Sequence, residues 1–246
     1  MRILALETSN RQTSLALLEA GSLVSESWLS AEPRVAQSLI PAIQDELKNA
    51  GWSSEDLQLI AVSQGPGSFT GLRVGITAAK TLAYAWQVPV LGVNTLEVIA
   101  HQAYYSQSSE DEGPFLEADC SLAVVMNAHR GQFFAAEFTG APEQQCRTVK
   151  PTQLVEQQQW VEQLAPGQAI SGPGLSLVED SLPSTAQTVE AGRHLPRAAG
   201  VAQLAFVKFS SETSPSTDLN HQIFSLCPEY FRQSAAEEKR LVSPDS

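Results

Sequence analysis

Residues 65–73 have the sequence GPGSFTGLR, which joins a short apolar segment, Leu59–Ser63, to a helix expected over Thr70–Gln87. Two glycines around a proline let the backbone turn sharply after a strand. The N–H groups at the start of the following helix then point outward, as an anion-binding site requires. We therefore predict a strand, a tight loop and a helix, a unit that is typical of α/β folds.

The spacing of this loop leaves its chemistry open, because it matches neither the dinucleotide fingerprint GxGxxG nor the Walker sequence GxxxxGK[ST]. A phosphate-cradling loop and a plain glycine turn into a helix both fit. A carboxylate and hydroxyl groups directly after the first predicted strand could contact a magnesium–phosphate complex, and a polar hairpin turn explains them as well. The candidate nucleotide-binding residues are Glu7, Thr8, Ser9, Gly65, Gly67 and Ser68.

The predicted helix after the loop carries a small residue at every fourth position. Such a stripe lets a second helix approach closely, by packing of the i±4 type. The stripe packs either on the chain's own sheet and helices or on a partner molecule. On the second hypothesis the partner interface consists of Gly71, Leu72, Gly75, Ile76, Ala79 and Ala83.

The first part of the chain alternates predicted strands with predicted helices. Strands are expected at Ile3–Leu6, Thr13–Leu18, Leu23–Trp28 and Val90–Val93, and helices at Val35–Ala50 and Thr95–Tyr105. Ser, Glu, Asp and Gly then dominate Ser106–Asp119, a composition typical of a linker. We therefore predict an N-terminal, partner-binding lobe of residues 1–105 and a smaller, more divergent C-terminal lobe of residues 106–246.

The second lobe also mixes predicted strands and helices. It is expected to begin with a hairpin formed by Leu122–Met126 and Gln132–Phe138. Gln153–Leu164 is predicted to be a surface helix, and a second Gly-Pro-Gly sequence stands at Gly172–Gly174. Ala198–Phe209 is strongly helical, and we expect the last helix of this lobe to pack back on the first lobe.

The composition is that of a folded protein with excess negative charge. Hydrophobic residues make up 43 % of the 246 residues, and 27 Asp and Glu against 15 Lys and Arg give a net charge of −12. Because nucleic-acid affinity rests largely on cations, RNA or DNA binding by this chain alone is not expected. Arg34, Arg73 and Arg130 are too far apart in the sequence to define a basic patch.

The cysteines and the N-terminal residues predict a cytoplasmic protein. Three widely spaced cysteines favour reduced thiols over a disulfide framework. Residues 1–7, MRILALE, reach an acid too soon for the apolar core of a signal peptide. No run approaches the about 20 apolar residues of a membrane span, so no membrane contact is expected.

The histidine and serine patterns give no support to metal-dependent or covalent catalysis. No two of the histidines are three to five residues apart, so no HxxxH or HExxH metal site can be written. The histidines are His101, His129, His194 and His221. A GxSxG nucleophile elbow is also missing from the sequence. We predict no catalytic residue and no bound metal.

Five segments resemble the TsaB (YeaZ-like) family. ILALETS at residues 3–9, GPGSFTGLRVG at 65–75 and GVNTL at 92–96 look like the N-terminal half of that family. NAHRGQ at 127–132 resembles the family's Asp-Ala-Arg-x-Gly-Glu, and PEYFR at 228–232 resembles its Pro-x-Tyr-Leu-Arg. The GPGSFTGLR string is the most specific of these matches.

The resemblance implies an α/β, two-lobed fold of the actin, sugar-kinase and Hsp70 class, ribonuclease H-like, with mixed sheets flanked by helices. It also implies a role in making threonylcarbamoyladenosine next to the anticodon of tRNA. TsaB-like proteins act there as non-catalytic partners that activate the TsaD-like catalytic subunit, which they bind through helices of the first lobe. The chain would then be an accessory subunit with no cofactor of its own.

The same resemblance implies further partners. A TsaE-like ATPase joins the pair, and tRNA is reached only through the complex. For the isolated chain we expect a homodimer formed by the surface that otherwise binds the partner, because exposed apolar stripes tend to self-associate.

Departures from the family pattern keep two other functions open. Glu7 stands where the family usually has Asp, Asn127 replaces an acid, and Val35–Gln37 replaces His-Ser-Glu. One alternative is a nucleotide-dependent phosphotransferase or ATPase that binds ATP or ADP with Gly65–Gly71 and Glu7. A peptidase has the least support, because the chain lacks a nucleophile elbow and a metal pair.

Overall fold

The computed structural model describes residues 1–29, 35–105, 116–141, 145–211 and 219–231. Three features of the sequence analysis lie outside the described residues: Arg34, most of the predicted linker and Arg232 of the PEYFR segment. The side chains of Val35 and Ala36 are also outside them. The described ranges contain two five-stranded sheets with helices packed against them.

The first sheet has the strand order β3-β2-β1-β4-β5. Its strands are β1 Arg2–Glu7, β2 Thr13–Glu19, β3 Ser22–Leu29, β4 Leu59–Gly65 and β5 Val90–Asn94. Strands β1, β2 and β3 pair antiparallel, whereas β4 pairs parallel with β1 and β5. Residues 3–6 of the central strand are fully buried because apolar clusters cover both faces, which explains their continuous apolar run.

The second sheet repeats this topology. Its strands are β6 Ser121–His129, β7 Gln132–Ala141, β8 Gln145–Glu156, β9 Ala169–Ser171 and β10 Gln187–Thr188. The order β8-β7-β6-β9-β10 again has antiparallel pairs on one side of the central strand and parallel pairs on the other. The two mixed sheets with flanking helices form the α/β fold of the actin, sugar-kinase and Hsp70 class, as the resemblance predicted.

Helices cover both faces of the first sheet. On one face lie α1 Val35–Asn49 and α2 Phe69–Trp86, and on the other lie α3 Thr95–Tyr104 and α5 Ala198–Ser211. The remaining α-helices of the described residues are the short α4 Gln157–Glu162 and α6 Leu219–Ser225. The three helices predicted for the first part of the chain are confirmed to within one residue at each end.

The helix predicted over Gln153–Leu164 is wrong in its first part. Strand β8 continues to Glu156, and only Gln157–Glu162 is helical. Val155 lies opposite Phe133 of β7 and is buried, so cross-strand pairing with an aromatic residue overrides the local helical pattern. The glutamine-rich composition gave no sign of this pairing, because Phe133 and Val155 are 22 positions apart in the sequence.

Helix α5 is held on the first sheet by side chains of strands β2 and β3. Ala198 N donates to Ser14 Oγ at 2.9 Å, and Ala199 N donates to Glu26 Oε1 at 3.0 Å. The other oxygen of Glu26 forms a salt bridge of 2.6 Å with Arg197. The first turn of α5 therefore finds its hydrogen-bond acceptors on strands that precede it by more than 150 residues.

Glu26→Ala is expected to lower the free energy of unfolding by about 3 kcal/mol. The Glu26 side chain is only 6 % exposed, so its removal leaves Arg197 and the Ala199 N–H without their acceptor. Urea denaturation measures the change. The control is Glu19→Ala, which removes a solvent-exposed salt bridge with Arg2 and should lower the free energy of unfolding far less than Glu26→Ala does. Equal losses in the two variants would contradict the anchoring role.

Candidate functional site

Four segments that carry the family resemblance line one cleft between the two sheets. The cleft has a volume of about 1000 Å³. Its walls include the loop after β4 (residues 66–70), the turn between β6 and β7 (126–130) and the C-terminal segment (229–231). The turn after β1 (9–11) completes them. The sequence analysis identified these segments separately but did not predict that they meet.

The two sheets contribute equivalent loops to this cleft. The turns after β1 and β6 follow the central strands of the two sheets. The loops Gly65–Gly67 and Gly172–Gly174 follow β4 and β9, which occupy the same place in their sheets. A Cβ atom at Gly172 would collide with the carbonyl oxygen of Val125, so the second loop needs glycine where it crosses its central strand. The second Gly-Pro-Gly sequence is therefore the counterpart of the first.

The first Gly-Pro-Gly loop uses some of its N–H groups within the protein. Ser68 N donates to the carbonyl oxygen of Ser9 at 2.7 Å, and Gly71 N donates to Ser68 Oγ at 3.3 Å. A Cβ atom at Gly67 would lie 2.5 Å from the same Ser9 oxygen. The loop thus packs tightly on the end of β1, and two of the donors that a phosphate cradle would use are already engaged.

The C-terminal segment forms a wall of the cleft directly against the loop. Glu229 N donates to the backbone oxygen of Gln64 at 2.8 Å, and Gln64 Nε2 donates to the backbone oxygen of Cys227 at 2.8 Å. Gly65 has a φ of +130° and a Cβ atom there would lie 2.7 Å from Glu229 O. Glycine is therefore needed at position 65 both for the backbone angle and for the approach of the C-terminal segment.

An aromatic cluster stands at the rim of the cleft. The rings of Phe69 and Tyr230 stack with centroids 4.9 Å apart, and they are 40 % and 45 % exposed. The guanidinium of Arg73 lies 3.8 Å from the Phe69 ring centroid, and its Nε donates to Tyr230 Oη at 2.9 Å. Sequence reasoning noted Arg73 but missed both rings as site residues, because nothing local links position 69 to position 230.

Glu7 lies beneath the cleft surface. Its carboxylate is fully buried and accepts hydrogen bonds from Ser9 N at 2.6 Å, from Ser9 Oγ at 2.5 Å and from Ser63 Oγ. Burial raises the pKa of the Glu7 carboxyl, and the hydrogen bonds from Ser63 and Ser9 oppose this shift. Of the six candidate nucleotide-binding residues, Ser9, Gly67 and Ser68 line the cleft, whereas Glu7, Thr8 and Gly65 are buried and do not.

Glu7→Gln is expected to remove a pH dependence of stability. Because the folded-state pKa is raised above 4.5, the folded state binds more protons than the unfolded state between these two pKa values. The contribution of Glu7 to the free energy of unfolding should therefore be largest at low pH. It should fall as the pH rises from 4.5 through the raised pKa. Urea denaturation over a pH series measures it, with the exposed Glu19→Gln as control. Parallel curves for wild type and Glu7→Gln would contradict this assignment.

The stripe of small residues on α2 faces the interior of the chain, not a partner. Leu72, Ile76, Ala79 and Ala83 are at most 3 % exposed. Gly71 and Gly75 lie so close to Thr8 that a Cβ atom at either would collide with it. The hypothesis of a partner interface on these residues is therefore corrected. The residues concerned are Gly71, Leu72, Gly75, Ile76, Ala79 and Ala83. The small residues let α2 approach the end of β1.

The opposite face of α2 is exposed and uncharged. The two cationic side chains of helix α2 turn away from this face toward the C-terminal segment. Arg73 donates to Tyr230, and Lys80 donates to the backbone oxygen of Leu226 at 2.9 Å. The outward residues are Thr70, Val74, Thr77, Ala78, Thr81 and Ala85, of which Val74 and Ala78 are half-buried. They form the outer α2 face, a smooth neutral surface beside α1.

The described residues contain neither a metal-binding cluster nor a membrane-spanning helix. No three His, Cys, Asp or Glu side chains in those ranges lie close enough together to hold a metal ion. No helix among the same residues has the length and apolar character needed to cross a membrane.

One protein family and one TsaB protein match most of the chain. Residues 30–239 match the family model of TsaD, tRNA N6-adenosine threonylcarbamoyltransferase. The chain is 29 % identical over 253 aligned residues to the tRNA threonylcarbamoyladenosine biosynthesis protein TsaB of Bacillus subtilis, covering 99 % of each chain. The chain therefore belongs to the TsaD family and, within it, to the TsaB (YeaZ-like) proteins.

Two further relatives show which fold the chain shares and how far along the chain the similarity extends. YeaZ from Pseudomonas aeruginosa has the same fold, with a TM-score of 0.74 over 93 % of this chain and 99 % of that one, at 24 % identity. The tRNA N6-adenosine threonylcarbamoyltransferase of an Anaeromyxobacter species is 35 % identical, but over only 44 % of this chain and 38 % of its own. The similarity to TsaB of Bacillus subtilis is thus end to end, whereas the similarity to this Anaeromyxobacter transferase covers less than half of either chain.

Proposed function

We propose that this TsaB-like chain takes part in forming threonylcarbamoyladenosine in tRNA, as a non-catalytic partner that binds and activates a TsaD-like subunit. The observation that carries the proposal is the end-to-end similarity to TsaB of Bacillus subtilis, which covers 99 % of each chain. The buried state of Glu7 supports it, since the carboxylate at the end of β1 is engaged by serines and does not reach the cleft.

We place the partner interface on the outer α2 face and the neighbouring α1. A specific interface buries about 800 Å² on each partner. Thr77 and Thr81 are exposed near the middle of α2, and α1 adds the exposed Ile40 and Gln44. With Arg73 and Lys80 directed sideways, a partner helix can pack on the outer α2 face without desolvating a charge of α2. The same surface would form the homodimer of the isolated chain, and the TsaE-like ATPase and tRNA would join the heterocomplex.

Co-expression with the TsaD-like subunit of the same organism tests the proposal. Size-exclusion chromatography should give a stoichiometric complex, and threonylcarbamoylation of tRNA should require both chains. The isolated chain should elute as a homodimer that the TsaD-like subunit dissociates. Failure to form the complex, or modification of tRNA by this chain alone, would overturn the partner role.

The open cleft favours one alternative, a nucleotide-dependent phosphotransferase. Ser9, Gly67 and Ser68 line a volume of about 1000 Å³, which has room for a nucleotide. Calorimetry with ATP and magnesium separates the two functions. Stoichiometric binding with turnover would favour the enzyme, whereas the engaged loop donors lead us to expect neither.

A further inference from the structure

The charged lining of the cleft is positive on balance, although the chain is acidic. The chain has a net charge of −12, yet two arginines, Arg11 and Arg130, and one carboxylate, Glu229, line the cleft. The carboxylate of Glu229 lies 3.5 Å from Asn94 Nδ2, a residue that lines the smaller neighbouring cavity. Arg11 and Arg130 come from the equivalent turns after β1 and β6, so each sheet contributes one arginine to the cleft.

Within the described residues, Arg11 and Arg73 form no salt bridge, in contrast to Arg2 and Arg197. Arg2 pairs with Glu19 at 2.8 Å and Arg197 with Glu26 at 2.6 Å. Arg73 instead contacts the Phe69 and Tyr230 rings. Arg11 lines the cleft itself, so a cation without an acidic partner in the described part of the chain faces any anionic ligand that enters.

Aromatic rings line the cleft beside these cations. Phe69, Phe134, Tyr230 and Phe231 all contribute to its walls, and Phe69 and Tyr230 are stacked and nearly half exposed. Exposed rings next to a positively charged groove are the recurrent means of binding single-stranded nucleic acid, because bases stack on rings and phosphates meet cations. Neither feature was visible in the sequence, where Arg73 and Arg130 are 57 positions apart.

We infer that the cleft binds a single-stranded segment of RNA, with a phosphate at Arg11 and a base at the Phe69–Tyr230 stack. The inference rests on the proposed function, which supplies tRNA as the nucleic acid. A nucleoside triphosphate shares this chemistry, but its terminal phosphates need clustered backbone donors. At the Gly-Pro-Gly loop, the N–H of Ser68 already donates to Ser9 and the N–H of Gly71 to Ser68. Cationic side chains therefore suit the separated phosphates of an RNA strand better than the clustered phosphates of a nucleotide.

The test measures binding of a labelled anticodon stem–loop RNA to the complex with the TsaD-like subunit, and to the chain alone, over a salt series. Arg11→Gln should weaken binding several-fold and reduce the slope of log K against log salt by about 0.7, the value for one single-strand phosphate contact. The matched control is Arg147→Gln, which removes an exposed arginine on β8, outside the cleft, and should change nothing. Tyr230→Leu should weaken binding, and Tyr230→Phe should retain it.

The outcomes separate this inference from its alternatives. Equal RNA affinity of wild type and Arg11→Gln, or equal losses in Arg11→Gln and Arg147→Gln, would overturn it. Displacement of the RNA by ATP, with the same variants weakening ATP binding, would also overturn it in favour of a mononucleotide site. If the complex does not form but the chain alone binds RNA through Arg11, the partner role fails and the RNA site stands. If the complex forms but Arg11→Gln leaves RNA binding unchanged, the partner role stands and the RNA site fails.

Discussion

Replacing Thr77 by arginine is expected to weaken binding to the TsaD-like subunit by at least about a hundredfold, or about 2.8 kcal/mol, while leaving the fold intact. Thr77 is exposed on the outer α2 face, where neither cation of the helix points. An arginine there would bury an unpaired charge in a contact that otherwise contains threonine, alanine and valine side chains. Co-purification and a direct binding titration measure the loss, and urea denaturation checks the fold.

Two further substitutions make this result interpretable. Thr188→Arg introduces the same change at an exposed threonine of β10, far from α2 in the topology, and should leave binding unchanged. Ala79→Arg, only two residues from Thr77, places the charge in the core at a position with 0 % exposure and should unfold the chain. Tight binding by Thr77→Arg would remove the outer α2 face from the interface.

The sequence predicted the first sheet well because its strands are short apolar runs and its helices have a clear 3.6-residue period. Residues 3–6 and 59–62 are buried on both faces, and α1 buries Leu39, Ile43 and Leu47 at the expected spacing. Strand β8 was missed because Val155 is fixed by Phe133 of another strand. Local composition carries no record of a cross-strand partner.

The site was harder to predict than the fold, for a physical reason seen in α2. A four-residue spacing of Gly71, Gly75, Ala79 and Ala83 identifies a smooth helix face, but it does not say what packs there. Close approach of the helix's own strand and close approach of a partner require the same small residues. The cleft was missed because its residues come from segments about 40 or more positions apart in the sequence.

Gly71→Ala is expected to lower the free energy of unfolding by about 3 kcal/mol, the upper range for overpacking a core. The new Cβ atom would collide with the backbone oxygen of Thr8, which cannot move without displacing β1. The matched control is Gly192→Ala, since a Cβ atom at Gly192 meets nothing within 4 Å. Urea denaturation of both variants measures the difference, and similar stabilities would show that α2 does not depend on this approach to β1.

The neighbouring glycine allows a sharper test, because its contact is with a side chain. A Cβ atom at Gly75 would collide with Thr8 Oγ1 and lie 3.1 Å from Thr8 Cβ. Thr8→Ala removes the colliding atom, so it should rescue most of the stability lost in Gly75→Ala but none of that lost in Gly71→Ala. This asymmetry follows only if the stripe packs on β1. If Gly75→Ala instead weakens binding to the TsaD-like subunit at full stability, the stripe belongs to the interface after all.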